Sequence, residues 1–182
     1  MLKLKEQLLG KFEVVTPHVL VTDPCYTKDV WCLGKVDNAK IGVWEAYILL
    51  SDEGRWGMRV ATLVTYHNEQ LKHISSDSCL WQKTDHDIGV DSGQAGVFNA
   101  DLIPDKSSQR DNPEWSSWYN SLYEEGCKAK VIEGGVVSST GYGDGSYNSY
   151  TVTDTHGEVI AIKIEFITNE DDEIDEDDEL YA

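Results

Sequence analysis

Nowhere in this 182-residue chain is there a run near the about 18 consecutive apolar residues that a spanning helix needs, which excludes a helical membrane protein. Cysteine is sparse and scattered. Cys25, Cys32, Cys79 and Cys127 form no Cys-x-x-Cys pair, so reduced thiols in a cytoplasm are expected. The first residues, Met1-Leu-Lys-Leu-Lys-Glu6, carry basic groups without the apolar stretch of a secretory signal, which also points to a cytoplasmic protein. Positive charge is the largest shortage, with 15 Lys and Arg against 33 Asp and Glu and a formal net charge of -18. Such a surface repels phosphate and anionic lipid alike, so neither direct nucleic-acid binding nor membrane docking is expected. Self-repulsion on this scale opposes compaction, and a field this strong points to a basic partner.

What is abundant is acid, and it is concentrated at one end. Glu170, Asp171, Asp172, Glu173, Asp175, Glu176, Asp177, Asp178 and Glu179 lie within ten residues, with only Ile174, Leu180 and Tyr181 nearby to pack. The composition divides the chain into one folded domain over 1–168 and a disordered acidic tail over 169–182. Fully extended, the ten-residue run spans about 33 Å and sets a carboxylate about every 3.7 Å. That is close to the roughly 3.4 Å between phosphates along one DNA strand, so mimicry of a nucleic acid is physically open. A solubilising terminus is the plainer reading of the same residues.

The folded part has the content for one sizeable core, being 40% hydrophobic and 10% aromatic. Its patterning is mostly β. Residues 158–167 alternate, placing Ile160, Ile162, Ile164 and Phe166 on one face and Lys163 and Glu165 on the other, as in a half-buried strand. Val43 to Leu50 and Met58 to Tyr66 predict a hairpin through the glycines of Ser51 to Gly57. Phe12 to Val15, Val19 to Thr22, Val131 to Ser138 and Tyr147 to Thr153 predict shorter strands, the last two joined through Gly141, Gly143 and Gly145. One helix stands out over 113–126. Asn112 can cap it, Pro113 suits its first position, Trp115, Trp118, Tyr119 and Leu122 form its stripe, and Gly126 stops it. Short helical turns at Leu2 to Leu9 and near Asn68 to His73, and a surface loop over Asp101 to Asn112, complete the expectation. The class is α+β, a predominantly antiparallel sheet with one amphipathic helix packed on it.

Three segments carry unusual local sequence: Val21-Thr-Asp-Pro-Cys-Tyr26 followed by Trp31-Cys32, Val90-Asp-Ser-Gly-Gln-Ala-Gly-Val-Phe98, and Ser139-Thr-Gly-Tyr-Gly-Asp-Gly-Ser-Tyr147. Together they resemble a little-characterised domain family of bacteria and their mobile elements, and the likeness runs over nearly the whole folded part. The overall character, acidity included, is similar to that of type II-A anti-CRISPR proteins, inhibitors of the nuclease Cas9 carried by phages and mobile elements. The resemblance brings no catalytic residues. It implies a non-enzymatic inhibitor in a bacterial host cell, docking on the basic surface of Cas9 or its guide complex and blocking guide or DNA engagement.

The residues leave two other chemistries open. Asp23, Asp91 and Asp144 sit in turn-like positions, and if they converged they could hold Mg²⁺ for hydrolysis of a nucleotide or phosphodiester. Gly141-Tyr-Gly-Asp-Gly145 could approach a nucleotide closely and sequester it, although it lacks the Lys-Ser/Thr of a phosphate-binding loop. A tight connection between strands explains those glycines equally well. The five histidines show no metal-binding spacing, Asp85-His86-Asp87 reads as a solvated turn, and Cys25 reads as a packing residue. No metal, cofactor or catalytic residue is therefore expected. Among exposed aromatics, Trp56, Tyr142 and Tyr147, with Asp144 beside them, are the candidate anchors for a protein partner, together with the nine tail carboxylates.

Overall fold

The computed structural model describes residues 3–26, 28–68, 74, 80–85, 87–104 and 112–168. The tail carboxylates Glu170 to Glu179, with His73, Cys79 and His86, lie outside the described residues.

Two antiparallel sheets pack face to face. The larger runs β1 (Leu4–Val14), β4 (Gly42–Asp52), β5 (Met58–His67), β12 (Val159–Glu165), β11 (Gly145–Thr153) and β6 (Gln82–Lys83), with β7 (Ile88–Val90) also paired to β11. The smaller runs β3 (Gly34–Val36), β2 (Val19–Thr22), β8 (Gln94–Asn99), β10 (Gly135–Ser139) and β9 (Ala129–Ile132). Period-two patterning builds the core between them. Phe12, Val14, Trp44, Ala46, Ile48, Leu63, Ile162 and Ile164 of the larger sheet meet Val19, Val21, Ala95, Val97 and Val136 of the smaller. Trp44 sits in this layer at 1% exposure, edge-on to His67 with ring centroids 6.2 Å apart. This is the expected α+β class, dominated by antiparallel pairs.

The one α-helix among the described residues, α1 (Pro113–Leu122), covers the outer face of the smaller sheet. Asn112 caps it, its side-chain oxygen accepting from the backbone N–H of Glu114 and Trp115. Leu122, Trp118 and Tyr119 pack on Phe98 and Val137, while Trp115 stacks on Tyr119 with centroids 4.9 Å apart. The helix ends four residues earlier than Gly126. Tyr123 is already extended at φ -86°, ψ 133°. Glu124 and Glu125 follow, and negative charge is unfavourable at the C-terminal end of a helix dipole.

Pairing overrides local pattern elsewhere. Of the helical turn expected at Leu2 to Leu9, the part from Leu4 onward is instead the first half of the long strand β1, held by its ladder to β4. The single strand expected over Val131 to Ser138 is a hairpin, β9 and β10, turned by Glu133 and Gly134, whose φ of 69° explains the glycine. The expected hairpin of β4 and β5 is present, as is β11. The strand expected over 158–167 is β12, but it is buried on both faces rather than one.

Two details account for that burial. Val152 pairs Ala161 while Thr153 pairs Val159, so Ile160 is the extra residue of a β-bulge and joins the outer cluster with Tyr66 and Ile74, opposite Ile162. Lys163 is 7% exposed with its ammonium 4.6 Å from the Tyr150 ring centre, 5.2 Å from that of Trp81 and 2.6 Å from the Glu165 carboxylate. Two aromatic faces and a carboxylate thus offset the desolvation of this charge.

Candidate partner-binding surface

The three unusual segments meet at one end of the sandwich, and buried Asp23 joins the first two. Its carboxylate accepts from the N–H of Cys25 (2.7 Å), Asp91 (2.8 Å) and Ser92 (2.7 Å) and from the Ser92 hydroxyl (2.7 Å). Four donors around a fully buried carboxylate replace its lost water and lock the Asp91-Ser92 turn onto β2. Tyr119 of α1 reaches the same turn through Ser92, and burial pushes its phenol up in pKa against that opposing hydrogen bond. Tyr26 bonds the Asp91 side chain. Burial, then that carboxylate, push its phenol well above the ordinary value, so at neutral pH it remains a donor.

The third segment is tied to the second by the Thr140 N–H, which donates to Gly93 O at 3.1 Å. Its glycine loop connects β10 to β11, strands of different sheets, so it is a crossing between layers. Inside the loop the Gly143 N–H donates to Thr140 O (2.8 Å), and the Thr140 hydroxyl donates to Gly143 O (2.7 Å). That amide is used internally, which removes it from any cradle for a nucleotide phosphate.

Tyr147 is not the exposed anchor expected from the sequence. Its ring stands edge-on to Phe166 at 5.2 Å, and its hydroxyl donates to Gly143 O (2.6 Å) and Thr140 O (3.1 Å). It props the loop from beneath. Tyr147→Phe keeps the ring and removes both bonds, so a loss of about 1–2 kcal/mol is expected, read as a fall of a few degrees in the thermal melt.

On one flank of the loop, the hairpin 3₁₀ turn (Gly54–Trp56) and the loop itself are joined through Arg59. Its guanidinium donates to Trp56 O (3.2 Å) and Gly141 O (3.3 Å) and lies 5.9 Å from the Tyr142 ring centre. Arg55 lies over Trp56 at 5.1 Å, and the Tyr142 hydroxyl donates to Glu53. Trp56 and Tyr142 are each more than half exposed, so the structure brings these two sequence-predicted anchors to one patch. Sequence reasoning missed the two arginines that hold them.

On the other flank lies an open cleft of about 860 Å³. Asp85, Asp87, Asp91 and Asp144 line it with Tyr26, Trp31, Cys32 and Lys83. Asp144 is exposed, lines this cleft and lies two positions after Tyr142 in the glycine loop. Among the described residues, the one lysine or arginine that lines it against these four carboxylates is Lys83, which is 3.3 Å from Asp87. Asp23 is absent from this wall, because its carboxylate is turned inward beneath the turn. Asp91 and Asp144 line the same cleft and Asp23 does not, and among the described residues no three His, Cys, Asp or Glu side chains are grouped to hold a metal ion. Among the described residues Cys32 and Cys127 are free thiols, and no helix is long and apolar enough to cross a membrane. Compared with family models, curated proteins and solved structures, the chain matches none of them.

Proposed function

We propose that this chain is a non-enzymatic binding protein whose target is the basic surface of a nucleic-acid-processing protein, Cas9 or its guide complex being the first to test. The observation that carries the reading is the pairing, at one end of the fold, of an acidic cleft with a patch of exposed Trp56 and Tyr142 braced by two arginines. Trp, Tyr and Arg are the residues that most often dominate interface energetics, and the acidic rim steers a basic surface toward them. The tail carboxylates supply a second, less directional attraction that weakens as salt screens it.

The test is Cas9-guided DNA cleavage and DNA binding with increasing amounts of the full chain, at two salt concentrations, beside an unrelated protein of equal acidity. Selective inhibition at near-stoichiometric amounts is expected. Joint replacement of Trp56 and Tyr142 by alanine should weaken it about ten-fold or more, since each is the kind of side chain worth over 1 kcal/mol at an interface centre. Removal of residues 170–182 should reduce binding mainly at low salt. Inhibition no greater than that of the acidic control would overturn the reading.

A further inference from the structure

We infer that the cleft beside Trp31 is a receptor for an arginine side chain on the basic partner, an inference that rests on the binding-protein reading above and specifies its ligand. Trp31 is 87% exposed. That is unusual for a side chain which in folded proteins is highly buried on average. Among the described residues it belongs to no hydrophobic cluster, yet it lines a cleft of about 860 Å³. Buried Val90 and Cys32 also line that space.

The acidic groups of the cleft are not equivalent. Asp87 is paired with Lys83, and Asp91 is bonded by Tyr26. Asp85 and Asp144 are exposed, and among the described residues no ion pair reaches either. Trp31 and two carboxylates that no ion pair reaches among the described residues therefore border one opening. A guanidinium uses both, laying its plane on the indole while its N–H groups fork toward the carboxylates. An ammonium is a compact, strongly hydrated point charge and gains less from the ring. The cleft is larger than one side chain, so residues flanking the arginine enter with it.

The experiment is calorimetric titration of the full chain with hexa-arginine and hexa-lysine peptides at matched salt. It compares the unaltered protein with Trp31→Ala, Trp31→Phe and the double variant Asp85→Asn, Asp144→Asn. Because Trp31 is so exposed, the melts of its variants should match that of the unaltered chain. The arginine peptide should bind more tightly, and Trp31→Ala should cut the arginine-to-lysine affinity ratio by about two- to five-fold. Trp31→Phe should retain most of the ratio, and the double variant should weaken both peptides. An equal ratio in Trp31→Ala and the unaltered chain would overturn the inference. So would displacement of the arginine peptide by MgCl₂ beyond what NaCl achieves at equal ionic strength, which would make the cleft a metal-ion site. If the ratio depends on Trp31 while Cas9 is inhibited no more than by the acidic control, the function reading falls and the receptor stands. If Cas9 is inhibited and the ratio ignores Trp31, this inference alone falls.

Discussion

Replacing Asp23 by alanine is expected to lower the melting temperature by about 10 °C and to abolish partner binding at physiological temperature. The side chain is fully buried and accepts four hydrogen bonds, three of them from backbone N–H groups. Removing it takes the buried acceptor from all four donors, and a charged acceptor lost from such a network costs roughly 3–5 kcal/mol. A chain of this size loses about 2–4 °C per kcal/mol. Binding fails with stability because the same bonds hold the turn whose Asp91 lines the cleft. Asp23→Asn should recover only part of the loss, since the amide replaces one acceptor oxygen with a donor that faces donors. A melt within about 3 °C of the unaltered protein would mean that the clamp is redundant.

This role explains what could and could not be seen in the sequence. The hairpin of β4 and β5 was legible because β-branched and aromatic runs flank a glycine turn, and those are local signals. The helix start was legible from Asn112 and Pro113. Lys163 was legible only as polar, because its burial depends on Trp81 and Tyr150, which lie 82 and 13 positions away along the chain. The split of Val131 to Ser138 was missed because its turn is only Glu133-Gly134, inside an otherwise unbroken apolar run. Short strands such as β3, β6 and β7 exist only through their ladders and have no pattern of their own.

The site follows the same division. Asp23, Asp91 and Asp144 were each visible as turn residues, but only the folded chain shows Asp23 beneath the turn and the other two at an opening. Trp31 stood in the first motif, and nothing in its neighbours distinguished an exposed tryptophan from a core one. Arg55 and Arg59 carry a usable signal: both fall in or beside the turn that holds Trp56, where an arginine within reach of an aromatic face is an ordinary interface element. Tyr147 departs from the sequence expectation because a tyrosine beside a glycine loop can serve it from either side, and Phe166 decides which.

Gly96→Ala is expected to be the most damaging single methyl that can be added to this chain, with a loss of about 3 kcal/mol or more and a protein that is largely insoluble or melts more than about 10 °C lower. Gly96 lies in β8 between β2 and β10, and an added Cβ would stand 2.3 Å from Val136 O and 2.3 Å from the ring of Phe98. Gly135 on the neighbouring strand is bare for the same reason, its Cβ falling 2.6 Å from Val97 O and 3.0 Å from Phe98. The two glycines form a trough in which the Phe98 ring lies close on the backbone, and Trp118 of α1 packs edge-on against that ring at 5.8 Å. Evicting Phe98 therefore undocks the helix, which near-ultraviolet circular dichroism should register as loss of the Trp118 environment. Gly54→Ala is the control, because its φ of 57° strains a Cβ while nothing lies within 4 Å, so it should cost only about 1–2 kcal/mol. The contrast separates crowding from backbone strain. It also separates the roles within the second motif: Gly96 and Phe98 build the platform on which α1 rests, and Asp91 alone of its residues faces the cleft as a charged group. An alanine at 96 that left the melt and the Trp118 signal unchanged would remove the packing explanation for this motif and move its glycines to the candidate surface.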